Sequence, residues 1–136
     1  MIRTLILGVF VLALVPVGAS AQRCVGGNPA ITHVAVQTTH NTGSMTQYRL
    51  VGTVQNMGTA AQPANTLQFV DIYDGSQKLD SRSVPPLSNS GTFHFTYNWS
   101  RAHEAAAGST TFTFKMRMVH GTNCEPTNGG TYHLTF

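Results

Sequence analysis

The stretch Thr92-Phe93-His94-Phe95-Thr96-Tyr97-Asn98-Trp99 decides the fold class. Phe93, Phe95, Tyr97 and Trp99 alternate with Thr92, His94, Thr96 and Asn98. In a β-strand successive side chains point to opposite faces, so this run lays four aromatic rings on one side and small polar groups on the other. Such alternation marks an antiparallel strand with one face on a core and one in water. Residues 111–119 repeat the pattern, with Phe112, Phe114, Met116 and Met118 inward and Thr113, Lys115 and Arg117 outward.

Weaker strands are read at 31–38, 48–55, 67–73, 79–84 and 131–136, and they add Tyr48, Leu50, Val54, Tyr132 and Leu134 to the expected inward set. Turn signals separate the runs: Asn41-Thr42-Gly43, Asn56-Met57-Gly58, Asp74-Gly75, Pro85-Pro86, Asn89-Ser90-Gly91 and Asn128-Gly129-Gly130. The one helix-like stretch is the short Ala-rich run at 103–107. About seven short strands with turns every 8 to 12 residues predict an all-β, antiparallel, immunoglobulin-like β-sandwich. An outer-membrane barrel shares the period of two and the alternating aromatic end at Tyr132, Leu134 and Phe136. It needs at least eight strands of about 9 to 11 residues, which leaves little chain for these loops.

Ahead of the strands, Met1-Ile2-Arg3-Thr4 carries one positive charge, and residues 5–17 are apolar. Gly18-Ala19-Ser20-Ala21 then offers the small residues of a cleavage site, which predicts a signal peptide over residues 1–21 and a domain over residues 22–136. A retained membrane anchor is the rival reading. The apolar run falls short of the roughly 20 residues of a spanning helix and ends in Pro16, Gly18 and Ser20. The expected location is therefore periplasmic or secreted, without membrane attachment after cleavage.

Beyond the leader there are seven Lys or Arg against five Asp or Glu, a formal charge of +2. Phosphate binding wants more charge, clustered along a stripe, so no nucleic-acid partner is expected. Cys24 and Cys124 are the two cysteines. In an oxidising compartment an even pair normally closes, the alternative being two free thiols. Cys24 precedes the first strand and Cys124 lies before the last one, and in an immunoglobulin-like sandwich those two points share a pole. Closing a loop of ~100 residues contributes about 4 to 5 kcal/mol in chain-entropy terms.

Candidate chemistry is sparse. Asp71, Asp74 and Asp80 gather around one hairpin, where an Asp-Gly turn and a solvated face account for them. No nucleophile elbow or phosphate loop occurs, so no catalytic residue and no cofactor is assigned. The sharpest rival is copper: Met116, Met118 and His120 stand at i, i+2 and i+4, which on a regular strand puts two thioethers and an imidazole on one face. Phe112 and Phe114 share that face, and the plainer reading makes both methionines core. Trp99 is read as core by the same alternation rather than as a sugar platform. Asn56 and Gly58, and Asp74 and Gly75, are read as structural turn residues, Gly for positive φ and Asn or Asp for side-chain capping.

The stretch Tyr48 to Ala64, YRLVGTVQNMGTAAQPA, resembles the opening of the CARDB domains, bacterial adhesion-related immunoglobulin-like modules, at Val54, Asn56 and Gly58. VDIYDG (70–75), Trp99, Gly108 and NCEPTNGGTYHLTF (123–136) continue the likeness, with Glu125 the one acidic residue of the last turn where the family has more. The resemblance implies an immunoglobulin-like fold and, loosely, adhesion. Together with the leader it yields the expectation of a non-catalytic module that binds a protein or cell-surface glycan in the bacterial envelope. Residues 37–47, 58–66 and 120–130 are the loops expected to be open to a partner.

Overall fold

The structure, a computed structural model, describes residues 26–124 and 129–136. The expected signal peptide over 1–21, Cys24, and Glu125 and Asn128 of the expected last turn lie outside the described residues. Among the described residues seven antiparallel strands run β1 (Pro29–Thr42), β2 (Met45–Asn56), β3 (Leu67–Asp74), β4 (Gln77–Val84), β5 (Thr92–Ala102), β6 (Ser109–His120) and β7 (Gly129–Thr135). They form a three-stranded sheet, β1-β2-β5, and a four-stranded sheet, β4-β3-β6-β7. This is an immunoglobulin-like sandwich, two separate sheets rather than the closed ring of a barrel. Among the described residues no helix is long and apolar enough to cross a membrane, and the Ala-rich run at 103–107 is a turn between β5 and β6.

The core lies between the sheets and is filled by the alternating residues. Tyr48, Leu50, Val54, Phe95, Phe112, Phe114, Met116 and Leu134 are buried. Phe93, Tyr97, Trp99 and Tyr132 pack against them partly exposed. Phe112 and Phe114 are both 0% exposed, and burying side chains of that size contributes about 1.5 to 3 kcal/mol each. Rings meet edge-on or tilted across the layers, Trp99 with Phe112 at 5.5 Å and Phe95 with Phe114 at 5.5 Å. Met118 departs from expectation: it is half-buried and outside the core cluster. Val70, Ile72, Val84 and Leu87 complete the core, although the sequence pattern did not select them.

Two close approaches set the strand geometry. Gly52 faces Phe95 across the β2–β5 ladder, and the phenyl ring occupies the space where a Cβ would stand. Gly130, read from sequence as part of a turn, instead lies with Gly129 inside β7. A Cβ there would come within 2.9 Å of Ile31, so the missing side chain lets β7 pass close to β1. The turns at Gly43 and Gly75 take positive φ, 54° and 59°. In the 89–91 turn it is Ser90, at 59°, that does so.

One pole of the sandwich is closed by buried amides. The Asn56 carboxamide donates to the carbonyls of Ala60 and Ser88 and accepts from the backbone N–H groups of Asn28 and Gly58. Gln62 and Gln68 form a reciprocal pair at 2.9 and 2.7 Å, while Gln62 also accepts from Leu87 N–H and Gln68 donates to the Pro85 carbonyl. Buried polar groups are costly unless bonded, and each of these two clusters is satisfied by its own amides and the neighbouring backbone.

Candidate binding surface

The outward side chains of β3 are Leu67, Phe69, Asp71 and Tyr73, the complement of inward Gln68, Val70 and Ile72. They form the middle row of the four-stranded sheet's outer face. Registration places Ser81 of β4 and Lys115 of β6 on either side of Asp71, and Arg117 beside Phe69. Asp71 points away from the core and is still only 3% exposed, because long neighbouring side chains cover it.

Arg117 donates through Nε to Oδ2 at 2.6 Å and through a terminal nitrogen to Oδ1 at 3.1 Å, a bidentate pair. Ser81 Oγ donates to Oδ1, and Lys78 Nζ lies 3.2 Å from the same oxygen. Burial alone would raise the Asp71 pKa. The bonds from Arg117, Ser81 and Lys78 and the Arg117 charge outweigh it and hold the carboxyl at about 2. Reciprocally, the hydrogen bond to Asp71 raises the Arg117 pKa further.

The cations also lie on rings. The Arg117 guanidinium sits 4.6 Å from the centre of the Phe69 ring and Lys115 Nζ 4.8 Å from that of Tyr73. The basic residues are dispersed in the sequence, yet the fold gathers Lys78, Lys115 and Arg117 here around one covered carboxylate. At the end where β6 bulges at Val119, Leu67 and Val119 are 45% and 54% exposed. They adjoin the cationic row. The reading of Asp71 as a solvated hairpin acid is thereby corrected: Asp74 is exposed at the turn, whereas Asp71 is the buried hub.

Edge strand β4 also carries an inward ion pair. Asp80 and Arg82 face the interior side of the sheet by their pairing with Ile72 and Val70, and Arg82 donates through Nε to the Thr96 carbonyl of β5 at 3.0 Å. This clips the two sheets together along one side. The backbone N–H of Ser81, then Arg82, lowers the Asp80 pKa.

The opposite face, on β1-β2-β5, has a different character. Shallow depressions of about 290 and 260 Å³ lie over Thr38, His40, Arg49 and Asn98 and over His33, Thr53 and His94. His94 Nδ1 and Thr53 Oγ1 are 3.0 Å apart. Among the described residues Arg49 is the sole formal charge lining them.

The remaining expected site residues separate. The bulge pairs His120 with Leu67 and Met118 with Gln68, which turns His120 out of step with inward Met116 and Met118. Met116 is 6% exposed in the core, and His120 is exposed with Nδ1 3.1 Å from the Asn65 carbonyl oxygen. The expected one-face arrangement of these three side chains is therefore broken by a single extra residue. Gly58 is a close-approach glycine rather than a positive-φ one: a Cβ would collide with the Gly26 carbonyl. Asp74 Oδ1 accepts from Thr110 Oγ1 at 3.4 Å beside Gly75.

Of the expected open loops, 37–47 is mostly the β1–β2 hairpin, and 58–66 is drawn into the pole by Asn56 and Gln62. The 120–130 loop is described only in part. Comparison with protein-family models, with curated proteins and with solved structures found no match.

Proposed function

We propose that the chain is an exported, non-catalytic immunoglobulin-like module that binds a macromolecular partner, a protein or cell-surface glycan, in the bacterial cell envelope. It works in the periplasm or outside the cell, free of the membrane once its leader is removed. The observation that carries this reading is the use made of the buried polar side chains. Asn56, Gln62, Gln68 and Asp71 each have their bonding groups directed at other parts of the sandwich. They serve rigidity, and a rigid scaffold presents a surface at low ordering cost.

The export signal and the likeness to the adhesion-related CARDB modules support the same assignment, and a Cys24–Cys124 bond belongs with it. Affinity capture from envelope extracts tests the reading. We expect a discrete partner to be retained at physiological salt and eluted chemically unchanged. Retention of nothing, or recovery of a partner cleaved by the protein, overturns it.

A further inference from the structure

We propose that the outer face of the four-stranded sheet, along β4, β3 and β6, is a docking surface for an acidic polypeptide segment that also carries aliphatic side chains. This rests on the binding-module reading and names its surface and partner chemistry. Charge complementarity argues for the acidic character. Among the described residues the one carboxylate in the row, Asp71, has a side chain 4% exposed, whereas those of Lys78 and Arg117 are 44% and 41% exposed and Lys115 is also exposed. The charge this face shows to solvent is therefore cationic.

Those cations are also held in place. The Arg117 guanidinium is fixed on one side by Asp71 and underneath by Phe69, and Lys115 rests over Tyr73. Positioned donors lose less freedom when a carboxylate arrives than donors on loose chains do. Leu67 and Val119, exposed at the end of the row, supply the apolar contact that fits aliphatic residues of the same segment.

A neutral sugar would stack on open ring faces, but Phe69 and Tyr73 each have one face taken by a cation. Addition of the partner as an extra strand beside β4 is opposed by Asp80 and Arg82, charges that an edge strand turns inward to discourage such pairing. The segment thus lies across the face rather than along that edge.

The test is a fluorescence titration of the exported protein with a labelled random copolymer of glutamate and leucine, with heparin and phosphatidylglycerol vesicles as competitors of other classes. We expect saturable binding that weakens with added salt. It should fall about tenfold in Lys78→Gln/Lys115→Gln and hold in Arg49→Gln on the opposite face. Lys115→Gln alone, which breaks no ion pair with Asp71, should lower it with the melting temperature unchanged. Equal binding by wild type and the double variant, or tighter binding of heparin or vesicles than of the copolymer, overturns the assignment. Envelope capture separates the two levels: a partner retained equally by wild type and Lys115→Gln removes this surface alone, while no partner at all removes the binding-module reading.

Discussion

Asp71 is covered by Arg117, 46 residues away in sequence, and by Ser81 and Lys78 of the adjoining hairpin strand, and its energetics follow from that cover. Its folded pKa of about 2 lies below the ordinary value of 3.8. A depressed carboxyl contributes stability that is present above the unfolded pKa and is lost as pH falls through the folded one. The window is therefore between about pH 4 and pH 2, and the contribution is about 2 kcal/mol. Urea unfolding across that range should show wild type losing this amount, with the loss absent in Asp71→Asn, which should be less stable at neutral pH. An unchanged pH profile in the variant would contradict the assignment. Asp71 is read from sequence as a solvated hairpin acid, and nothing in the run 67–73 says that it is covered. The bidentate part of its cover comes from Arg117, which is 46 residues away in sequence and reaches it only once β3 and β6 pair. Asn56 was the more legible residue, because a side-chain cap near a turn is a local device. Its four bonds reach into three further segments of chain.

At the scale of the element, Gly52 is the most exposed to test. It sits inside β2 with the Phe95 ring over it, a cross-strand pair in which the absent side chain makes room for the aromatic one. Gly52→Ala should destabilise by about 1 to 3 kcal/mol through overpacking. Adding Phe95→Leu should make the double variant less unstable than the sum of the two singles, measurable by a thermal double-mutant cycle. Additive losses would mean that the ring does not depend on the glycine. All seven strands were legible, because each carries either alternation or a bounding turn. Strand length was less so: β1 runs from Pro29 to Thr42 through the Asn41-Thr42 turn signal, since hairpin pairing with β2 continues to Met45. The one-face pattern of Met116, Met118 and His120, the rival copper reading, fails because a period of two holds only until a bulge, and β6 has one at Val119 in its pairing with β3. Val70 and Ile72 were missed as core because Asp71 between them makes the run look half-solvated.

For the whole molecule, the fold joins two unlike faces back to back. One is polar with few charges, over β1-β2-β5, and the other is a cation row ending in Leu67 and Val119. The sandwich class was readable from periodicity, and the asymmetry of its faces was not, because it depends on which strands pair in which sheet. The proposed Cys24–Cys124 bond belongs to this scale as well. Intact-mass measurement of exported protein with thiol alkylation should find no alkylated cysteine before reduction and two after it, and the reduced form should be less stable by about 4 kcal/mol. Alkylation without reduction would remove the bond from the account. The central claim, that the molecule works by presenting its four-stranded face to a macromolecule, is tested most directly by photo-crosslinking in the exporting cell. A benzophenone side chain would be placed at Thr113 or Ser83 on that face and at Thr53 or Thr96 on the other. The account predicts an adduct of higher mass from the first pair of sites and none from the second; adducts from Thr53 or Thr96, with Thr113 and Ser83 silent, would contradict it.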